Sequence, residues 1–122
     1  MRPRVLIVDD HAGFRLLART SLEAAGGTVA GEAATAAEAL RLLATISPDV
    51  VLLDIRLPDA DGFAVCRAIR ALRPAVRVVL CSVHPVADYG PAYAECGADG
   101  FVPKDEFTAD RVMRGPGGVA GT

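Results

Sequence analysis

At 122 residues the chain has the size of one domain, long enough to bury a core of its own. A content of 52% apolar and 23% charged residues is that of an ordinary globular protein, and a net charge of −2 offers no basic surface for nucleic acid or an anionic membrane. The apolar runs fall well short of the roughly 20 residues that cross a bilayer, so no membrane span is expected.

Cys66, Cys81 and Cys96 are odd in number, widely spaced and without a CxxC pair, which argues against a disulfide framework or a zinc site. They read instead as small buried side chains. The start, MRPRVLIVDD, has the basic-then-apolar order of a signal peptide. Its apolar run is only about four residues long and stops at two aspartates, too short for an export signal, so a cytoplasmic location is expected.

Residues 5–8 (VLIV) form a continuous apolar run, the pattern of a strand buried on both faces. Phe14, Leu17, Ala18 and Leu22 recur at helical spacing, and Gly26 and Gly27 stop that helix. Residues 28–33 (TVAGEA) read as a weaker strand near an edge. Thr35 and Glu38 then form a capping box, followed by an apolar stripe of Ala36, Ala39, Leu40 and Leu43 and closed by Pro48.

Residues 50–53 (VVLL) make a second buried strand, which ends at Asp54. Residues 56–62 (RLPDADG) must be a loop, with Asp59 and Asp61 as turn and helix-cap residues. The next helix points Val65, Ile69 and Leu72 inward and ends before Pro74. Residues 76–81 are a third buried strand, ending at Ser82. A helix is expected around 86–96, but Gly90-Pro91 falls inside it, and an interior proline costs about 3 kcal/mol. That helix should therefore begin late, with Pro91 in its first turn, or be distorted. A short strand at 99–102 leads to Lys104, and a last, short helix capped by Thr108 is expected to stop near Arg114. The expected organisation is one domain over 1–114 and a flexible tail or linker start over 115–122.

Strands interleaved with helices predict an α/β fold, a doubly wound five-stranded parallel sheet with helices on both faces. In such sheets ligands bind beyond the carboxyl ends of the strands. Asp9, Asp10, Asp54, Ser82 and Lys104 all fall at those ends. Two adjacent aspartates repel one another unless a cation stands between them. Carboxylates with retained water are the ligands Mg2+ takes, commonly together with a phosphate oxygen.

The segments VLIVDD, VVLLDIRLPDADG, VLCSV and GADGFVPKDE, in that order and spacing, resemble the receiver domain of two-component response regulators over about residues 4–114. VDDHAGFR and GFVPKDEF look most like the branch whose receivers precede a helix-turn-helix output domain. The resemblance implies a flavodoxin-like strand order 2-1-3-4-5. It implies that Asp54 accepts a phosphoryl group from a sensor histidine kinase. Asp10, Asp54 and the carbonyl of Arg56 would hold Mg2+, with Asp9 acting through water. Lys104 would pair with a phosphoryl oxygen. Ser82 would move toward the phosphoryl group and Phe101 would rotate inward behind it. The face made by the fourth helix, fifth strand and fifth helix would carry the signal, through a homodimer or an output domain. No turnover of a separate substrate is implied, only self-phosphorylation and slow self-dephosphorylation at Asp54.

Arg56, Val83 and His84 occupy positions at which the resemblance implies tuning of phosphoryl access and lifetime. Phe101 stands where the family often has tyrosine, keeping the ring and losing the hydroxyl. Two other readings compete with the switch. One is a degenerate, phosphorylation-independent receiver serving as a protein-binding module. The other is a small metal-dependent phosphatase working through an aspartyl-phosphate, for which the chain leaves little room for a substrate pocket. Direct DNA binding by this domain lacks a basic recognition helix.

Overall fold

The computed structural model describes residues 2–120, with side-chain surroundings through Arg114. Five parallel strands make one sheet: β1 (Arg4–Val8), β2 (Thr28–Ala33), β3 (Val50–Asp54), β4 (Arg77–Ser82) and β5 (Gly100–Pro103). Their order is β2-β1-β3-β4-β5, as expected. Between them run α1 (Ala12–Ala24), α2 (Ala36–Leu42), α3 (Gly62–Leu72) and α4 (Pro91–Glu95), and α5 (Ala109–Ala120) follows β5.

The apolar runs are continuous because both faces of the sheet are covered. Along β1, Leu6 and Val8 enter one core cluster with Ala39, Phe63, Ile69 and Cys66, on the side of α2 and α3. Val5 and Ile7, the alternate positions, enter a second cluster with Phe14, Ala18, Leu22 and Val112, on the side of α1 and α5. The same alternation divides Val51 and Leu53 from Val50 and Leu52 on β3. Each such side chain fully withdrawn from water contributes about 1.5–3 kcal/mol. All three cysteines are free and buried, as expected.

Helix termini follow their local signals. Gly26 adopts φ 95° just beyond α1, a conformation that glycine reaches without penalty. Thr35 accepts the Glu38 amide at 3.1 Å to start α2. Glu38 reaches back to the Ala34 amide at 2.8 Å, one residue before the position a capping box uses. Asp59 crosses from the β3–α3 loop to accept the Ala36 and Ala37 amides at 2.8 and 3.0 Å, and these bonds hold its carboxyl below the usual range. Asp61 accepts the Phe63 amide at 2.7 Å and starts α3. The segment around Gly90-Pro91 is broken as expected: a 3-10 turn over Val86–Tyr89, Gly90 at φ 54°, then α4 with Pro91 at its start. Thr108 accepts the Arg111 amide at 3.2 Å near the beginning of α5.

Three expectations need correction. Leu17 is 52% exposed: the smaller Ala18 is the residue that meets the sheet, which leaves Leu17 on the flank of α1. Leu72 is 61% exposed, because it is the final residue of α3 and lies beside Leu40 and Ala44 rather than beneath the helix. Helical backbone in α5, a short helix, continues past Arg114 to Ala120. Glycine and proline there raise the cost of helix by about 1 and 3 kcal/mol without forbidding it. The expected tail at 115–122 is thus helical in backbone to Ala120, and its last two residues lie outside the described residues.

Gly62 sets the loop that follows Asp54. Its amide donates to the Ile55 carbonyl at 2.6 Å, and a Cβ built there would stand 2.5 Å from Ile55 Cα and 2.6 Å from the Asp54 carbonyl oxygen. Backbone on both sides leaves nothing that can yield. Gly62→Ala should therefore lower stability by about 2 kcal/mol or more, read from the urea midpoint at constant m. Leu72→Ala, on an exposed position, should stay within about 0.5 kcal/mol of the parent.

Candidate functional site

Parallel strands joined by crossover helices all point the same way, so their carboxyl ends share one edge of the sheet. Asp9, directly after β1, is buried at 1% exposure, while Asp10 beside it faces solvent. Asp54 closes β3 at 7% exposure, and Ser82 closes β4 at 2%. One carboxylate oxygen from each of Asp9, Asp10 and Asp54 lies within 4.8 Å of the others. Lys104, directly after β5, brings its Nζ to 2.7 Å from Asp9 Oδ2 and 3.6 Å from Asp54 Oδ2. The five residues expected at the strand ends therefore lie on the same edge.

Backbone amides hold the two buried carboxylates in place. Asp9 Oδ1 accepts the His11 amide at 2.8 Å, and Asp54 Oδ1 accepts the Arg56 amide at 3.3 Å. His11 Nδ1 in turn accepts the Phe14 amide at 3.1 Å, so a histidine rather than an aspartate caps α1. Lys104 Nζ stands over the Phe14 ring, 4.7 Å from its centroid, a cation–π contact that adds to the ion contacts of the ammonium.

One ammonium does not neutralise three carboxylates. Burial raises the Asp54 carboxyl above its ordinary pKa, and the charge of Asp9 raises it further, against the opposing pull of Lys104. For Lys104, burial lowers the pKa, but the close ion contact with Asp9 and the charge of Asp54 outweigh it and the net shift is upward. Asp9 Oδ2 is buried and, despite the nearby ammonium, lacks a well-aligned hydrogen-bond donor. The donor set is all oxygen, partly buried and short of positive charge, which fits a hard divalent cation better than a soft one. Cys81, one residue before Ser82, is no competing nucleophile, since burial pushes its thiol up to about 12.

The remaining expected residues lie around this centre. Arg56 is exposed and forms an isolated bridge with Asp61 across the loop. Val83 is 70% exposed and shares a cavity of ≈ 340 Å³ with His11, Phe14, Leu17 and Lys104, on the α1 side of the site. His84 places Nδ1 4.0 Å from Asp88 Oδ2. Phe101 is half-buried, with its ring centroid 5.8 Å from that of Tyr93 and 6.2 Å from that of Tyr89.

Tyr89 is the residue that sequence reasoning missed. Its hydroxyl lies 2.6 Å from Ser82 Oγ, which also accepts the His84 amide at 3.1 Å. Nothing in the local sequence signals this contact, because Tyr89 lies in a segment whose helix is interrupted. Phe14 beneath Lys104 and His11 as the α1 cap were likewise unmarked, the first reading only as part of the apolar stripe of its helix.

The comparisons agree with this geometry. The response regulator receiver domain family matches residues 5–114. The chemotaxis protein CheY of Bacillus subtilis is 34% identical over 113 residues, covering 93% of each chain. The transcriptional regulatory protein PrrA of Mycobacterium tuberculosis is 38% identical over 112 residues, which span 92% of this chain and 48% of PrrA. This chain therefore spans nearly all of CheY but about half the length of the transcriptional regulators it matches. Among solved structures, a LuxR-family two-component response regulator from Aurantimonas sp. SI85-9A1 superposes with a TM-score of 0.85 at 34% identity, over 99% of this chain and 87% of that one. With the fold, the strand-end cluster and the matched span in agreement, the chain belongs to the response regulator receiver domain family of two-component signalling.

Proposed function

We propose that the chain is a phosphorylation-dependent switch that accepts a phosphoryl group on Asp54 from the phosphohistidine of a sensor histidine kinase, acting in the cytoplasm. The observation that carries this reading is the meeting of Asp9, Asp10 and Asp54 around the single ammonium of Lys104. In the transfer a carboxylate oxygen of Asp54 forms a bond to phosphorus as the nitrogen–phosphorus bond of the donor breaks, and the imidazole leaves neutral once protonated. Only the ionised carboxylate attacks. Lys104, already 3.6 Å from Asp54 Oδ2, meets the negative charge carried by the transferred group.

Asp10, Asp54 and the Arg56 carbonyl, with Asp9 acting through water, are the groups that would hold Mg2+. That ion supplies charge neutralisation to the phosphoryl oxygens when bound. Ser82 offers its hydroxyl to a phosphoryl oxygen, and Phe101 follows it inward. Arg56 and His84, flanking the centre, shield the acyl phosphate from water. The face of α4, β5 and α5 passes the change to a second receiver or to an output domain. The short broken α4 lies on that face, so the packing there is held by few contacts and is suited to having two arrangements.

Incubation with acetyl phosphate and Mg2+ should add one phosphoryl group to the intact mass. Asp54→Asn, or removal of the metal with EDTA, should abolish the adduct, and Lys104→Ala should slow its formation by about tenfold or more. An unmodified wild-type chain, tested also with a cognate kinase, would favour the binding-module reading. Arg56→Ala should shorten the phosphate lifetime, measured as decay of the adduct.

The metal-free protein carries a further expectation. Because the folded pKa of Asp54 is raised, its contribution to stability is complete below the ordinary carboxylate range and is lost as pH rises through the folded value. At pH 7 in EDTA, Asp54→Asn should therefore melt above the wild type, and the gap should close as the pH falls toward 4. A gap that stays constant across that range would contradict the raised pKa.

A further inference from the structure

The residue at the usual place of the family's aromatic switch is Phe101, which has no hydroxyl with which to engage Ser82. A hydroxyl reaches Ser82 from elsewhere. Tyr89 ends the Val86–Tyr89 turn, seven residues beyond Ser82, and the two oxygens are 2.6 Å apart. The Tyr89 ring packs edge-on against Phe63 at 5.4 Å between centroids and tilts against Phe101 at 6.2 Å. Tyr93 closes the row on the far side of Phe101 at 5.8 Å. Ser82 is thus tied to an aromatic row that runs from α3 across β5 to α4.

We propose that Tyr89 is a positioning residue that latches Ser82 in the unphosphorylated state, and that phosphorylation of Asp54 draws Ser82 off the latch. This rests on the reading of Asp54 as phosphoryl acceptor. Ser82 Oγ has one proton and two lone pairs. One lone pair already takes the His84 amide, and the bond to Tyr89 is short, with little slack. Either hydroxyl can donate in that bond. A phosphoryl oxygen is a charged acceptor that takes the Ser82 proton on better terms than a neutral phenol, and turning Ser82 toward it draws Oγ away from Tyr89 whichever of the two donates. When Ser82 turns toward it, Tyr89 must either release the oxygen or follow it.

Either movement displaces the end of the Val86–Tyr89 turn. The turn is free to respond, because Gly90 at φ 54° separates it from α4 and no residue of the turn is fully buried. Val86 at its start lines a cavity of ≈ 410 Å³ with Tyr93, Phe101, Pro103 and Arg111. A shift of the turn therefore reshapes a wall of the signalling face directly, beside any rotation of Phe101. The break at Gly90-Pro91 becomes the hinge of the device rather than a flaw in α4.

Tyr89→Phe keeps the ring and its packing and removes only the hydroxyl. Beryllium trifluoride with Mg2+, a non-covalent stand-in for the phosphoryl group, serves as the probe. In the wild type, the ring NMR signals of Tyr89, assigned by their loss in Tyr89→Phe, should shift when the probe binds. Tyr89→Phe should bind the probe about fivefold more tightly, the shift expected when one neutral hydrogen bond no longer opposes the change. Equal affinities in the two proteins, or Tyr89 signals that do not move in the wild type, would overturn the latch. A hydroxyl with a structural role alone would lower the melting temperature of the variant and leave the affinity unchanged. Should Tyr89→Phe fail to fold, the loss of the other tyrosine's signals in Tyr93→Phe assigns those of Tyr89, and the wild-type ring signals still decide. No binding to the wild type, together with no acetyl phosphate adduct, would remove the reading of Asp54 as acceptor and the latch with it; an adduct with an unmoved Tyr89 would remove the latch alone.

Discussion

The ion contacts of Lys104 with Asp9 and Asp54 are what make the rest of the site tenable. Two carboxylates buried to nine-tenths or more, with a third beside them, would otherwise face one another in surroundings where charge is poorly screened. The ammonium offsets part of that repulsion, and the Phe14 ring lies against it. The offset is incomplete, as the raised carboxyl of Asp54 shows. A site left short of positive charge favours a cation. On the proposed reading, a phosphoryl group would bring more negative charge and call for such a cation beside it.

This constraint explains why the strand-end residues need a sheet as rigid as this one. β1 and β3 are interior strands, paired with each other and each flanked on both sides. Their interior residues are almost wholly excluded from water on both faces. Backbone bonds continue the order beyond the strands, with the Asp9 amide donating to the Ala33 carbonyl at 2.9 Å and the Ile55 amide to the Cys81 carbonyl at 3.2 Å. The charged groups are thus placed by the most strongly packed part of the molecule. The loop after Asp54 is secured in turn by Gly62, by Asp61 on α3 and by Asp59 on α2.

The opposite holds on the side of α4. There the chain is a turn, a glycine at φ 54° and a five-residue helix, and none of the residues of the turn or the helix is fully buried. Local stability is lowest where few apolar contacts hold an element, and segments that move are drawn from such regions. The fold therefore joins a stiff edge that carries charge to a loosely held face. The Ser82–Tyr89 contact is the shortest polar link described between them.

Much of this was legible in the sequence, for identifiable reasons. Period-2 burial on both faces leaves a run such as VLIV with no polar position, so β1, β3 and β4 announce themselves, and the polar residue that ends each run marks the edge where charge collects. Gly90-Pro91 announced the break in α4 through proline's missing amide alone. The exposure of Leu17 and Leu72 was not legible, because helical spacing shows which residues share a face but not which of two neighbours the sheet will meet. The reach of Asp59 to α2, the bed of Phe14 under Lys104 and the bond from Tyr89 to Ser82 were also closed to it. Each joins residues through a distance that exists only once the chain has folded. The order of residues determined what chemistry would stand at the edge of the sheet; packing alone decided which side chains hold that chemistry in place.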